Sequence, residues 1–279
     1  MSTAPPPAPA TAGARTVFVR RWGAYLALTI VFAIACGLLS WWQWSRRAET
    51  VAEITKVQVN YDAPVAKVGS LLPQLDSWDD NLEWRPVTLH GSYLTADQLL
   101  ARNRPLNGSP GFEVLTPLKL DDGTVFVVDR GWLPTGKTQD LPDIVPVAPS
   151  GEVTVVVRLK GGEPTLPGRT APAGQIPSIH LDDVATLVGA PTYTGAYGLM
   201  DSETPAPADR PVAAVEPVAD EGPHLSYAIQ WIAFGLLAFA GLLWAFRRER
   251  RIARGEPAKV KKPPRERSDS DIEDELLDA

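Results

Sequence analysis

Cysteine is nearly absent. The 279 residues hold one, Cys36, inside an apolar run, so the chain has no intrachain disulfide and no CxxC pair for metal or redox work, which excludes copper delivery through a dithiol. Histidine is scarce too: His90, His180 and His224 are the full set. No HExxH, GxSxG, P-loop or strand-bound GxGxxG occurs, so the common catalytic scaffolds lack support and no catalytic residue is assigned. The acids are plentiful but scattered over predicted turns, and Asp79, Asp80, Asp121 and Asp122 read as solvated loop charges rather than an acid/base pair. The chain reads as a non-enzyme. Positive charge is sparse in the middle, where 48–223 carry about 12 more acidic than basic residues, and such a region is a poor nucleic-acid binder.

Two long uncharged runs are present. Trp22 to Ser45 lies between Arg15, Arg20, Arg21 and the pair Arg46, Arg47, and His224 to Phe246 is followed at once by Arg247, Arg248, Arg250 and Arg251. Each is about as long as the roughly 20 residues that span a bilayer core, and a lone span must be helical because lipid cannot satisfy open backbone groups. The first run is too long for a signal-peptide core of roughly 7–15 residues, so it reads as a retained anchor. Apolar residues continue past Cys36 to Trp44, which argues against a lipoprotein cleavage box there. Trp22 and Tyr25 at one end, and Trp41, Trp42 and Trp44 at the other, suit interfacial aromatic belts.

The basic flank after Phe246 places the C-terminus in the cytoplasm, and two spans bring the N-terminus there as well. The region between the spans then faces outward, at a cell (inner or plasma) membrane. Arg46 and Arg47 oppose the rule unless they snorkel to lipid phosphate. Within the outer region, Glu49 to Val59 has a helical pattern that extends the first span. Strands are predicted over Trp84–Leu94 with a kink at Gly91, Gln98–Arg102, Phe112–Leu120, Thr124–Trp132, Val153–Lys160 and Tyr193–Met200, with a hairpin turn at Asp122-Gly123. Leu181–Val188 is the one short helix, begun by Asp182 or Asp183.

The expected fold is a membrane protein with two transmembrane α-helices flanking a mainly-β extracytoplasmic domain, an antiparallel barrel-like or sandwich arrangement. The layout is a disordered tail over 1–21, spans over 22–45 and 224–246, a β domain over 46–203, a linker over 204–223, and a basic then acidic tail over 247–279. The basic half of that tail could touch anionic lipid or serve only as the topology signal. His90 alternates away from Val87 and Leu89 and is expected to be exposed, and nothing in the sequence around His180 makes it special. His224 sits where the acidic linker meets the apolar helix. It is either an interfacial polar cap or a ligand for haem iron.

Several motifs occur together in one order. His224-Leu225-Ser226-Tyr227-Ala228 with Trp231, Trp84-Arg85-Pro86-Val87 with Gly91, Arg102-Asn103-Arg104, Gly111, Thr116-Pro117-Leu118, Asp122-Gly123, Asp129-Arg130-Gly131-Trp132-Leu133-Pro134, and Trp42-Gln43-Trp44 with Arg46 and Arg47 resemble the Surfeit locus protein 1 (Surf/Shy) family of cytochrome c oxidase assembly factors. The likeness fades over 60–80 and 163–221, and Ile232 replaces the aromatic often found after Trp231. The resemblance implies an assembly chaperone of the respiratory chain that handles haem a for the oxidase's catalytic subunit, with His224 as the proposed contact to haem iron and Trp231 and Phe234 lining the macrocycle. It also implies docking of the β domain on that subunit or on a haem a synthase, beside the lipid bilayer. Arg85, Arg130, Gly131 and Trp132 match motif positions: Arg130 either pairs with a domain carboxylate while Trp132 packs over the glycine, or meets a haem propionate or partner surface. A scaffold that contacts the oxidase without haem, and an unrelated membrane-anchored binding or sensor module, are the alternatives.

Overall fold

The computed structural model describes residues 12–255. The acidic half of the C-terminal tail, the end of its basic half and positions 1–11 lie outside the described residues. The chain forms two compact units. Among the described residues, one unit takes 12–48 together with 222–255, and the other is Glu49–Glu221.

The first unit is a pair of helices. Helix α1 runs Ala12–Asn60, so positions 12–21, expected as tail, are helical, and Glu49 to Val59 continues the same helix. Nothing in 12–60 breaks it: there is no proline, and Gly23 and Gly37 lie in stretches of good helix formers. Helix α4 (His224–Ala253) starts straight after Pro223, which cannot continue a preceding helix but fits before a first turn. Arg250 and Arg251 occupy its last turn, where positive charge suits the helix dipole. Both helices are long and apolar enough to cross a membrane.

The second unit is barrel-like. Its strands are β1 (Ala66–Lys67), β2 (Pro86–Tyr93), β3 (Leu99–Ala101), β4 (Gly111–Leu120), β5 (Val125–Pro134), β6 (Glu152–Gly161), β7 (Gln175–Ile176) and β8 (Ala196–Thr204), with short helices α2 (Val68–Leu71) and α3 (Leu181–Val188). The sheet order is β1-β2-β6-β8-β5-β4-β3-β7, and β4 also pairs with β2. Five strands, β2, β6, β8, β5 and β4, therefore close a ring, and the sandwich alternative is not what forms. The ring is not wholly antiparallel, because β5 and β8 run parallel at Val128↔Gly198 and Asp129↔Leu199.

Closure depends on Gly91, where β2 comes against β4 at Gly91↔Leu120. A Cβ there would stand 2.0 Å from the Lys119 carbonyl oxygen, so only glycine lets the two backbones meet. The expected hairpin turn joins β4 to β5: Gly123 takes a positive φ of 86°, and Asp122 Oδ1 accepts hydrogen bonds from the amide and hydroxyl of Thr124.

Val87, Leu89, Leu118, Phe126, Val128, Val155, Val157 and Met200 fill the ring. Outside it, Leu99, Leu115, Val127, Ile179, Leu181, Val184 and Tyr197 form a second core under β3, β7 and α3. Strands β4 and β5 are thus covered on both faces, which explains why Val125 to Val128 is a continuous apolar run rather than an alternating one. Helix α3 stops at Gly189, left-handed at φ 68°. The segment expected as a linker over 204–223 is corrected in two places: β8 extends through Thr204, and Val212 exchanges both backbone hydrogen bonds with Trp132.

Candidate functional site

The helix pair packs along a seam of small residues. On α1 the contacts come from Ala33, Cys36, Ser40 and Gln43, spaced three, four and three apart, which keeps them on one helix face. Cys36 Cβ would lie 3.7 Å from a Cβ on Gly235, and the buried Ser40 hydroxyl donates to the Ala228 carbonyl at 3.0 Å. Small side chains allow such close approach, and a hydroxyl bridging two apolar helices finds its partner on the facing backbone. Cys36 is a buried packing residue here.

His224 ends this seam. Its Nδ1 lies 2.9 Å from Gln43 Oε1. An amide oxygen only accepts, so the contact requires Nδ1 to carry a proton, and in the neutral ring Nε2 then holds the lone pair. The imidazole is half-buried and its plane is fixed by the bond. Trp231 lies two turns further along, on the same side as His224 and about 10 Å away along the axis, and its ring meets Phe234 edge-on at 5.8 Å. Gln43 belongs to the Trp42-Gln43-Trp44 motif, and its role became visible only once α1 and α4 were paired. The three-four spacing back to Ala33 was the sequence signal that could have found it.

The other motif residues lie in the barrel-like unit, where they separate onto two faces of β5. Arg130 points into the ring and is fully buried, with its Nη2 3.2 Å from Glu203 Oε1 and its Nη1 donating to the Pro146 carbonyl at 3.0 Å. The Tyr93 hydroxyl donates to the other Glu203 oxygen at 3.0 Å, and the guanidinium stands 5.5 Å from the Tyr93 ring centre. Burial, with the Glu203 charge added, pushes the Tyr93 phenol up from its ordinary range. Arg130 therefore has a carboxylate partner inside the fold, and its side chain offers no surface to a propionate or another protein.

Asp129 points outward beneath the second core and is 3% exposed. Its Oδ1 accepts the Gly131 amide at 2.9 Å. Burial pushes its carboxyl up to about 8, and the neighbouring Glu113 charge adds to the shift while the Gly131 amide opposes it. Glu113 is raised by burial as well, against the pull of Arg104. Arg104 binds both oxygens of Glu163, at 2.7 and 2.6 Å, and its Nε faces Glu113 at 3.1 Å. Burial alone would raise Glu163, but the bonds from Arg104 and the Ile179 amide outweigh it and hold this carboxyl low.

Gly131 has φ 124°, and a Cβ there would come 2.3 Å from the Val212 carbonyl oxygen. The Trp132 side chain reaches the neighbouring strand. Its indole covers Gly111 on β4, where a Cβ would meet Trp132 Cε2 at 2.3 Å, and its Nε1 donates to the Arg104 carbonyl at 2.6 Å. Arg85 is half-buried ahead of β2, and its carbonyl accepts the Leu159 amide at 2.9 Å. Preceding it, Trp84 holds a positive φ of 71°. His90 is exposed beside Asp121 at 2.8 Å, and His180 stands just before α3 with its Nδ1 3.2 Å from Asp183 and makes no side-chain capping bond. Among the described residues, no group of three His, Cys, Asp or Glu side chains could hold a metal ion.

The motif residues are thus of two kinds, a histidine fixed on the helix pair and a set of internal braces in the barrel. A model of the SURF1 family matches residues 30–236, which takes in both. The chain belongs to the SURF1 family. An uncharacterised SURF1-like protein of Mycobacterium bovis is 36% identical over 251 residues, covering 88% of this chain and 91% of the relative. An uncharacterised SURF1-like protein of Mycobacterium tuberculosis strain H37Rv matches to the same extent. A SURF1-like protein of Rickettsia bellii is 23% identical over 217 residues, covering 76% of this chain and 86% of its own. The SURF1 family is known in general for cytochrome oxidase assembly factors, and the two apolar helices of this member are compatible with a membrane protein.

Proposed function

We propose that this SURF1-family chain is a membrane-anchored, non-catalytic assembly factor that holds haem a at His224 on its way to the catalytic subunit of cytochrome c oxidase. The observation that carries the reading is the bond between His224 Nδ1 and Gln43 Oε1 at 2.9 Å. A ligating imidazole is normally oriented by a hydrogen bond on its other nitrogen, which fixes the tautomer and raises the basicity of the ligand. Gln43 supplies that bond and aims the Nε2 lone pair. Haem, when bound, supplies the iron that takes this lone pair. Trp231 and Phe234 offer apolar ring faces on the helix beyond.

In this reading both termini are cytoplasmic, His224 lies at the outer rim of the cell membrane, and the bilayer holds the helix pair. The acidic β domain docks on the oxidase subunit or on the haem a synthase, with no nucleic acid as partner. The test is co-expression with a haem a synthase, purification of the full chain, and the reduced optical spectrum of wild type and His224→Ala. A haem spectrum in wild type that is lost in His224→Ala is expected. Spectra empty in both, with oxidase assembly unchanged in His224→Ala, would overturn the haem role and leave a scaffold.

A further inference from the structure

The opposite end of the helix pair carries a feature that the His224 site does not use. There α1 and α4 border a groove of about 650 Å³ walled by Phe18, Trp22, Leu26, Phe239, Leu243 and Phe246, and every residue lining it is apolar. Trp22 and Phe246 meet edge-on at 5.0 Å and shape one end. The nearest wall residue on α4, Phe239, is more than ~20 Å from His224 along the helix axis, so the groove lies out of reach of a macrocycle held at the histidine.

The mouth of the groove is positively charged. Arg250 stands 5.2 Å over Phe246, a wall residue, so its guanidinium is held at the aromatic rim rather than splayed into solvent, whereas Arg248 stands over Trp244, which does not line the groove. Arg21 bonds to Glu249 at the same level, which uses the one carboxylate of the 247–251 stretch. The exposed Arg20, Arg247 and Arg251 add further positive charge. An occupant must therefore be apolar in the groove and anionic at its mouth.

We infer that this groove is a binding site for an anionic phospholipid, with one acyl chain between the helices and the phosphate at Arg250. A partner helix filling the same slot would have to carry carboxylates at the edge of the hydrocarbon, where they are costly. A phospholipid brings its negative charge to that depth by construction, and each arginine near an anionic headgroup contributes ~1 kcal/mol. The inference needs the two helices to lie in a bilayer, but it does not depend on haem.

The experiment uses the full chain reconstituted in bilayers of phosphatidylcholine and phosphatidylglycerol in equal parts, extracted in a neutral detergent, with retained lipids identified by native mass spectrometry. Wild type is expected to keep phosphatidylglycerol over phosphatidylcholine by about fivefold, the ratio that one such arginine contact corresponds to. A Cβ on Gly23, which lines the groove, has no atom within 4 Å, so Gly23→Phe fills the slot without pushing the helices apart and should lose the retained lipid at unchanged helical circular dichroism. Arg250→Gln should keep a lipid and lose the preference. Equal retention of the two lipids by wild type, undiminished phosphatidylglycerol on Gly23→Phe, or a protein helix cross-linked into the groove from Leu243 would each overturn the inference.

Discussion

Replacing Asp129 with asparagine should stabilise the barrel-like unit at neutral pH and leave it unchanged in acid. The carboxyl is 3% exposed, and burial, reinforced by Glu113, raises it from 3.8 to about 8. The folded state therefore binds a proton that the unfolded state releases above about pH 4, and stability falls as pH rises from there to about 8. Below that window both states are protonated, and above it the loss is complete. At pH 7 the interval above the ordinary value is about three units, which at 1.36 kcal/mol per unit gives an upper limit of roughly 4 kcal/mol.

Asparagine removes the ionisation and keeps an oxygen to accept the Gly131 amide. For an m-value of about 1–3 kcal/mol per molar urea, the urea midpoint of Asp129→Asn at neutral pH should exceed that of wild type by up to about 1–4 M. The two should converge near pH 4. Tryptophan fluorescence of the full chain in detergent follows the transition, since Trp132 packs on Gly111 in the same cluster. Parallel midpoints for the two proteins across that range would refute the assignment of a buried, protonated Asp129.

Arg130→Ala leaves Glu203 buried without its cation and should cost about 3–5 kcal/mol in urea unfolding, whereas Arg130→Met combined with Glu203→Leu should recover most of that loss. Gly131→Ala meets the Val212 carbonyl oxygen and an unfavourable φ together, so it should cost roughly 1–3 kcal/mol, and limited proteolysis should then cut the 205–221 segment faster than in wild type. Gln43→Leu removes the bond that orients His224 and should weaken haem retention by about tenfold or more while leaving the helix content intact. Equal retention by Gln43→Leu and wild type would show that Gln43 does not position the imidazole.

The helix pair was readable because each run of apolar residues ends at charge, and backbone satisfaction in lipid allows little but a helix. The strands of the barrel were readable where one face is solvated, as in β2 and β6, since alternation survives there. Boundaries moved where tertiary contacts overrode local signals: β8 extends to Thr204 because β6 pairs with it as far as Thr154↔Thr204, and Val212 is held by Trp132 although its surroundings look like linker. The parallel β5–β8 contact could not be foreseen, because it joins strands separated by β6 and α3 and carries no local mark.

By itself the sequence determined the two apolar helices, a β-rich region between them, and membership of the family through motifs kept in order, because hydrophobic run length, strand alternation and turn chemistry are local properties. Only the tertiary structure decided what the motif residues do. The Asp129-Arg130-Gly131-Trp132 stretch places neighbouring side chains on opposite faces of one strand, so adjacent residues serve separate cores. Gln43 meets His224 across 181 positions, and Arg130 meets Glu203 across 73. Pairings over such separations are set by helix packing and barrel closure, which bring together groups that local pattern cannot relate.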